Sequence, residues 1–423
     1  MGFSSISFAQ YLQKSSYPIA RDESLKILFY TSCKAIAMKG GTERATVSVA
    51  SALSSRYGHE CYSAYSIEDS APKELCFAGE LMVDGHLKTA ASQIASFVQD
   101  RRVDVVVSQG SFELVIALRK AGLPRCTKLV LAHHFEPGWE VHFGDLRTCL
   151  SQLGSASGTG KVKPAVKVLC YPIYKARYTR RLRGDYQAAY MAADAVVLLS
   201  EGFSEGYKAF GGLEDVEKFR FIPNPLSCEE YLDPAAYCEK KKIALIVARL
   251  EDTPKKISLA LKAWEAVKSD PVSEGWTLRI VGHGRDESRY KRLAARMRLP
   301  DVDFVGRRDP IGGGGDYCIA SLFLMTSASE GWGLTLTEAQ QFGAVPVAFD
   351  SYASLREIIT DGENGRYVPF ADVSAYAKAV LELMEDAGMR QEMALYAIES
   401  SKRFSWGAIA EKWQALLEEL GSL

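Results

Sequence analysis

The sequence predicts an α/β protein made of two doubly wound domains, and three observations support this prediction. The chain has 423 residues, 47% of them hydrophobic and 24% charged, which is more than one small core requires. Short, continuous Val/Ile/Leu runs recur along the chain, as expected of parallel strands that are covered on both faces. Amphipathic stretches with a helical period separate these runs, so that strands alternate with helices.

The apolar runs fall into two series. In the first series the predicted strands are 26–32, 104–108, 128–132 and 195–199, with helical patterns at 42–56 and 87–100. The second series follows a turn-rich Ile-Pro-Asn-Pro, and its predicted strands are 243–248, 277–281, 322–325 and 345–348. Pro346 counts against the last strand, because proline has no N–H to donate to a sheet.

These series set the predicted domain boundaries. We expect a first domain over 1–222, a second over 223–402 and a final helix within 403–423 that could return to the first domain. Ligands of doubly wound sheets bind beyond the carboxyl ends of the strands. Two such domains that face each other therefore imply a central cleft.

Charge and composition exclude several classes of protein. The formal net charge is -1, which argues against a nucleic-acid-binding protein. The sequence contains neither a long apolar run nor a basic start followed by one, so we expect no membrane span and no secretory signal. Nine scattered cysteines without a Cys-x-x-Cys pair fit reduced thiols, and no set of residues has the spacing of a zinc site. These features predict a cytoplasmic protein.

The most informative segment is SASEGWGLTLTEAQQFGAVPV at 327–347. Gly331 and Gly333 allow backbone N–H groups to approach a ligand closely, and the helix predicted to start near Leu334 offers unpaired N–H groups to a phosphate. Glu338 lies about one turn inside this helix, where its carboxylate could accept hydrogen bonds from a ribose diol. Glu330 lies at the strand end, where it could face a sugar.

Either glutamate alone would be read as an ordinary loop or helix residue. Together with the glycines, this segment resembles the signature of the family-4 retaining glycosyltransferases of the GT-B fold, in which seven residues separate two glutamates. The resemblance extends into Phe349-Asp350 and 357–365, and it is weak between 145 and 190. It implies a GT-B fold of two Rossmann-like domains.

The resemblance also implies roles for individual residues. Glu338 would bind the donor ribose, and Glu330 would contact the donor sugar and its developing charge. The backbone of the turn would cradle the donor phosphates. The residues expected to bind the donor here are Gly331, Trp332, Gly333, Leu334 and Thr335.

Two basic residues are candidates for the diphosphate. Arg249 follows a predicted strand and Lys255 precedes the next helix, so their cations could converge on one anion. A cation that holds the leaving diphosphate more tightly as the glycosidic bond breaks lowers the barrier. In isolation the two would be surface residues, but the family places Arg and Lys at these positions. The spacing is one residue longer than the usual one, so Lys256 stays an alternative to Lys255.

Glycine turns at two further strand ends are expected to shape the pocket for the base. These turns contain Gly282, Gly306 and Arg307, and His283 is expected to be only a turn residue. The glycine run at 312–315 lacks the Lys-Ser/Thr ending of a phosphate loop, and we expect it to form a flexible lip.

In the first half, KGGTER at 39–44 lies between the first strand and the first helix. Gly40 and Gly41 allow close approach of an anion to this helix. The loop resembles one in bacterial surface-polysaccharide glycosyltransferases, where it lies under the donor phosphates. After another strand, the family's Phe-x-Pro pattern selects His134 rather than its neighbour His133 as the residue that contacts the sugar.

A basic, aromatic stretch at 161–183 contains eight Lys or Arg residues and no acid. It could be a solvated helix face or a contact with an anionic membrane surface. The second interpretation would suit a lipid-linked acceptor and a peripheral position at the inner face of the membrane.

We therefore predict a retaining glycosyltransferase that moves a hexose-type sugar from a nucleotide sugar to a glycan or lipid-linked acceptor in surface polysaccharide synthesis. UDP is favoured by family frequency alone, and neither a metal nor another cofactor is expected to be required. The alternatives are a phosphorylase or sucrose-type synthase of the same fold, an NAD(P)-dependent oxidoreductase, and a catalytically silent binding subunit. The missing Gly-x-Gly-x-x-Gly fingerprint counts against the oxidoreductase.

Overall fold

The computed structural model describes residues 24–421, except 38, 125, 147–148, 151–152, 154–161, 310 and 312–314. Elements are numbered over these residues. The chain divides into two compact units. The first unit consists of Glu23–Ala35, His59–Ile222 and Leu416–Leu423, and the second includes Ile36–Gly58 and Pro223–Ala415. The domain boundaries derived from the sequence remain predictions.

Over its described residues, the first unit contains seven parallel strands. They are β1 (Lys26–Cys33), β2 (Glu60–Ile67), β3 (Phe77–Met82), β4 (Val105–Gln109), β5 (Lys128–His133), β6 (Ala195–Leu198) and β7 (Phe219–Phe221). Their order in the sheet is β3-β2-β1-β4-β5-β6-β7, so the direction of winding reverses between β1 and β4. The helices of this unit are α2 (Leu87–Arg101), α3 (Phe112–Lys120), α4 (Val162–Leu169), α5 (Tyr171–Ala192) and α6 (Ser204–Gly211). Helix α1 (Gly41–Tyr57) follows β1 in the chain but is grouped with the second unit.

In the part of the second unit that the structure describes, there are six parallel strands. They are β8 (Lys241–Val247), β9 (Thr277–Val281), β10 (Val302–Gly306), β11 (Ala320–Met325), β12 (Val345–Asp350) and β13 (Arg366–Pro369). Their order is β10-β9-β8-β11-β12-β13, and the winding reverses between β8 and β11. Ligands of such sheets bind at this kind of reversal.

Helices of three lengths accompany the second sheet. The one-turn helices are α7 (Asp252–Lys255), α10 (Asp316–Ile319) and α12 (Leu355–Ile358). The helices of intermediate length are α8 (Ile257–Lys268), α9 (Glu287–Arg296) and α11 (Leu334–Gln341). The C-terminal helices are α13 (Val373–Glu385), α14 (Ala387–Ser401) and α15 (Trp406–Glu419). The division between the units falls within α15, and its residues from Leu416 onward are grouped with the first unit.

Two packed cores hold the sheets. In the second unit, Trp264, Trp276 and Tyr376 are almost completely buried among the aliphatic side chains of the strands. In the first unit, the rings of Tyr186 and Tyr207 lie 4.6 Å apart, centroid to centroid. Large aromatic side chains contribute much of the burial free energy of such cores.

The prediction of two parallel-sheet α/β domains is confirmed, and the eight predicted strands are present. Pro346 lies inside β12 and opposite Phe323 of β11. Pairing of β12 with β13 begins one residue later, at Val347. Proline is tolerated at this position because it precedes the residues of β12 that pair with β13. Among the described residues, no helix is both long and apolar enough to cross a bilayer.

Candidate donor-sugar site

The candidate site lies in the second unit, at the carboxyl ends of β8 and β11. A pocket here is lined by residues of both strands and of the loops that follow them, including Ala248, Lys255, Thr326, Glu330 and Thr335. Parallel strands present their carboxyl ends at one edge of the sheet, so the loops after β8 and β11 meet although about 80 residues separate them.

Glu330 and Lys255 form the polar side of this pocket. Nζ of Lys255 donates to Oε1 of Glu330 over 2.5 Å, and Oγ of Ser327 donates to the same oxygen over 2.6 Å. Both side chains of the ion pair are partly exposed. A carboxylate and an ammonium group are therefore held together at the mouth of the pocket, where a ligand can reach them.

The backbone of the two loops is joined directly. The N–H of Ala328 donates to the carbonyl of Pro254 over 2.7 Å, and Oγ1 of Thr326 donates to the carbonyl of Lys255 over 3.1 Å. Lys256 has a left-handed backbone at the end of α7 and is absent from the pocket lining. These contacts fix Lys255, rather than Lys256, against Glu330.

The buried carboxylate of Asp252 holds the loop that carries Lys255 in place through several hydrogen bonds. Oδ1 of Asp252 accepts hydrogen bonds from the hydroxyl of Tyr290 (3.0 Å) and the N–H of Ser258 (3.2 Å). Oδ2 of Asp252 accepts one from Arg289, and Asp286 accepts one from the N–H of Asp252. Burial alone raises the pKa of Asp252, but the hydrogen bonds from Ser258 and Tyr290 and the charge of Arg289 lower it by more, so that the net shift is downward. Sequence reasoning did not identify this network.

Glu338 has a different environment from Glu330. Its side chain is buried, and Oε1 accepts hydrogen bonds from Nη1 of Arg44 (2.5 Å) and from Oγ of Ser227. Its Oε2 accepts one from the hydroxyl of Tyr317 over 2.8 Å. Burial beside the Glu338 carboxylate raises the pKa of Tyr317 well above its usual range, so this hydroxyl stays a donor.

The two helix N-termini that are predicted to bind phosphate lie next to each other. A Cβ added to Gly41 would be 3.2 Å from Cδ1 of Leu334, so α1 and α11 begin next to each other. Their N-cap residues, Gly40 and Gly333, cap neither helix with a side chain. Unpaired N–H groups at helix starts attract anions. Gly333 has a φ of +89°, which glycine adopts without strain.

The rest of the predicted donor-binding set lies around the same edge. Trp332 is buried against Phe404, with ring centroids 5.1 Å apart. The N–H of Gly282 donates to the carbonyl of Gly306 over 2.8 Å. Arg307 is exposed, and so is Arg249, whose guanidinium forms no ion pair with a described residue.

His134 belongs to the first unit, just beyond β5. Its Nε2 is hydrogen-bonded to Oε1 of Gln109, and burial lowers the pKa of His134 to about 4. His133 is completely buried in the strand, and burial lowers its pKa to about 3. Both imidazoles are therefore neutral at physiological pH, and His134 is the one that follows the strand.

Three residues of the site were missed. Arg44 belongs to the KGGTER loop but received no role, while Ser227 and Tyr317 were not singled out. The only sequence feature that could have pointed to one of these residues was the position of Arg44 close to the two glycines along the chain. Contacts of Glu338 with residues more than a hundred positions away, such as Ser227, are created by the fold alone.

Comparison with known families agrees with this geometry. Residues 229–400 match the family model of glycosyl transferases group 1. The matched segment holds β8–β13 and contains Arg249, Lys255, Glu330 and Glu338. It therefore coincides with the part of the second unit that carries the pocket.

Individual relatives extend the comparison. The chain is 31% identical to an exopolysaccharide phosphotransferase of Streptomyces coelicolor over 55% of this chain and 24% of the relative. It is 28% identical to a poly(glycerol-phosphate) alpha-glucosyltransferase of Bacillus subtilis over 57% of this chain and 35% of the relative. The chain thus spans only about a quarter to a third of the length of these curated relatives.

Solved structures share the fold over almost the whole chain. HepE of Anabaena, crystallised in complex with UDP, superposes with a TM-score of 0.67 at 16% identity and covers 94% of this chain and 100% of its own. At this identity the likeness concerns the fold. It assigns the two parallel-sheet units to the GT-B type that the sequence predicted.

Proposed function

We propose that this protein is a retaining glycosyltransferase of family 4 that transfers a hexose from a nucleotide diphosphate sugar, with UDP as the favoured nucleotide. The observation that carries the proposal is the Lys255–Glu330 pair in a pocket at the winding reversal of the second sheet. The match of this segment to glycosyl transferases group 1 supports it, as does the binding of UDP by a protein of the same fold.

In the proposed complex, Lys255 and Arg249 hold the donor diphosphate. Their positive charges stabilise the diphosphate most as it leaves, because its negative charge grows as the glycosidic bond breaks. The helix starts at Gly40–Gly41 and Gly333–Thr335 donate backbone N–H groups to the phosphate oxygens. Glu330 faces the sugar and the positive charge that develops on its ring.

The role proposed for Glu338 requires a rearrangement. Both of its oxygens already accept hydrogen bonds from side chains. A carboxylate accepts about four hydrogen bonds and three are in place, so both hydroxyls of a ribose diol can bind Glu338 together only when one of these donors leaves. We propose that Arg44 does so, because its side chain is 23% exposed and can be solvated by water when it moves.

The acceptor is proposed to be a glycan or a lipid-linked glycan of a surface polymer, and His134 to contact the transferred sugar. The names of the two curated relatives, which concern an exopolysaccharide and a poly(glycerol-phosphate), support a surface polymer. The proposal places the protein in the cytoplasm and involves no metal ion. NMR of the product distinguishes retention from inversion of the anomeric configuration, and an inverted product would reject the retaining mechanism.

The first test is calorimetric titration of the full chain with UDP, GDP, ADP and their sugar conjugates. We expect one nucleotide to bind and Glu338→Gln to weaken its affinity at least about tenfold, the cost of one hydrogen bond to a charged group. Glu363→Gln, an exposed glutamate of the same unit, is the matched control. If NAD(P) binds and no nucleoside diphosphate does, the protein is not a glycosyltransferase, and the oxidoreductase becomes the favoured function.

A further inference from the structure

Large apolar side chains are exposed on α4 and at the start of α5. Val166, Leu169 and Ile173 are 54%, 82% and 64% exposed. The N–H of Cys170 donates to the carbonyl of Val166, and that of Tyr174 to the carbonyl of Cys170, both over 2.9 Å. Two backbone hydrogen bonds therefore span the joint, where Cys170 itself departs from helical dihedral angles, with φ -102° and ψ 32°. Val166 and Leu169, three residues apart, share one face of α4, and Ile173 follows on the first turn of α5.

A further exposed apolar side chain lies on the neighbouring short helix Trp139–Gly144. Nζ of Lys175 donates to the carbonyl of Val141 over 2.6 Å, and the hydroxyl of Tyr178 donates to that of Glu140 over 3.2 Å. These bonds fix the short helix against α5. It carries Phe143, whose side chain is also exposed. An exposed apolar patch of this kind marks a surface that another body covers.

Unpaired cations lie on the same face. Arg177 and Arg180 follow Ile173 at i+4 and i+7 along α5, and Lys163 lies one turn before Val166 on α4. All three cations are exposed and form no ion pair with a described residue. Other basic residues of the stretch are engaged: Lys175 with Asp145, and Arg181 with Glu113.

We propose that this face, defined by Lys163, Val166, Leu169, Ile173, Arg177 and Arg180, binds the surface of a bilayer that contains anionic phospholipid. An apolar stripe flanked by cations is the pattern of a helix that lies in the membrane interface. The apolar side chains enter the boundary between headgroups and acyl chains, while the cations contact lipid phosphates. The single sign of the unpaired charges matches an anionic lipid surface.

This inference rests on the proposed function only for its consequence, which is to bring the transferase to a lipid-linked acceptor. Membrane binding itself requires neither the donor nor catalysis. A negative result in vesicle binding and a negative result in nucleotide titration are therefore independent of each other.

The experiment is co-sedimentation of the full chain with phosphatidylcholine vesicles that contain or lack phosphatidylglycerol. We expect binding to the anionic vesicles and weaker binding at high salt. Arg177→Gln and Arg180→Gln should each reduce the partition coefficient about fivefold. Leu169→Ser with Ile173→Ser should reduce it at least about tenfold, because two large side chains no longer enter the bilayer.

Matched controls come from the same unit. Lys88→Gln with Lys120→Gln removes two exposed cations elsewhere, and Ile67→Ser removes another exposed apolar side chain; neither change should alter vesicle binding. Every variant should keep the circular dichroism spectrum and the Tm of the wild type, which shows that it is folded. The proposal is overturned if the wild type does not bind anionic vesicles or if the variants bind them equally well. It is also overturned if sedimentation velocity shows a dimer that Leu169→Ser dissociates, because a second copy would then cover the face.

Discussion

At the residue scale, the two signature glutamates differ in what surrounds their charge. Glu330 is partly exposed and shares one oxygen with Lys255 and Ser327. Glu338 is buried and has three side-chain donors. Such donors compensate the cost of burying a carboxylate. Glu338 is thus part of the structure of the unit before any ligand binds, whereas Glu330 is available to one.

The choice between the two lysines can be tested directly. We expect Lys255→Met to weaken the affinity for the bound nucleoside diphosphate about 10–100-fold, because a charge-assisted hydrogen bond is lost. Lys256→Met should change it less than about threefold, since Lys256 is not part of the pocket lining. Calorimetric titration of both variants measures the difference. Equal losses would mean that the pocket does not position the diphosphate as proposed.

Glu140 provides a prediction about pH. Its Oε2 accepts a hydrogen bond from the hydroxyl of Tyr186 over 2.7 Å, and its Oε1 lies 3.6 Å from Nε2 of His133. Burial raises the pKa of Glu140 from 4.5 to about 7. Between these values the folded protein keeps a proton that the unfolded chain has released. The stability contributed by this group is therefore full at low pH and is lost as the pH rises through about 7.

We compare the free energy of unfolding of the wild type with that of Glu140→Gln. As the pH rises from near 5 to near 8, we expect this difference to change against the wild type by up to about 3 kcal/mol. Taking the difference between the two proteins cancels most of the titration of His133. Urea unfolding of both proteins at several pH values measures this difference. Glu205→Gln, which removes an exposed carboxylate of α6, is the matched control. Parallel curves for the wild type and Glu140→Gln would contradict the prediction.

At the element scale, the loops after β8 and β9 are packed backbone to backbone. Gly282 has a φ of +135°, and a Cβ added there would lie 1.9 Å from the carbonyl oxygen of Ala248. The N–H of Leu250 donates to the carbonyl of His283 over 2.9 Å. The glycine turn was predicted to shape a base pocket. That role stays a prediction, and in the structure the turn lets the loop that carries Arg249 approach β9.

We expect Gly282→Ala to destabilise the protein by about 2–4 kcal/mol, because the added methyl group must displace backbone. Gly362→Ala is the matched control, since Gly362 also has a positive φ but would place its Cβ in open space. That change should cost about 1 kcal/mol. Urea unfolding compares the two, and a similar loss for both variants would show that the contact with Ala248 is readily relieved.

Some elements were not predicted, for reasons that their residues show. Strand β2 has the sequence ECYSAYSI and is largely buried, yet its serines and tyrosines do not form a continuous apolar run. Small hydroxyl-bearing side chains can be buried once neighbouring strands satisfy the backbone. The central strands β4 and β5 are Val- and Leu-rich and were predicted, because burial on both faces selects such residues directly.

At the scale of the whole molecule, the tryptophans report mainly on one unit. Of the six tryptophans, Trp139 lies in the first unit and the other five in the second. Lys240, just before β8, connects three parts of the second unit. Its Nζ donates to the carbonyls of Tyr317, Ala320 and Phe342 over 2.7, 2.8 and 2.6 Å.

We expect Lys240→Met to lower the stability of the second unit by about 2–4 kcal/mol, because three buried carbonyls lose their donor. Thermal unfolding followed by tryptophan fluorescence should show a fall of about 2–4 °C in Tm for each kcal/mol lost. Lys242→Met is the control, since Lys242 is exposed and, among the described residues, donates to the carbonyl of Glu274 alone. An unchanged Tm for Lys240→Met would mean that water replaces the ammonium group.

The sequence by itself determined the fold class, the alternation of strands and helices, and the segment that carries Glu330 and Glu338. These features are local, because hydrophobic periodicity, glycine turns and fixed spacings are written along the chain. Only the tertiary structure decided that Lys255 pairs with Glu330, that Arg44, Ser227 and Tyr317 occupy Glu338, and that α1 and α11 begin side by side. These contacts join positions up to 294 residues apart, and their formation depends on how parallel strands bring distant loops to one edge of a sheet.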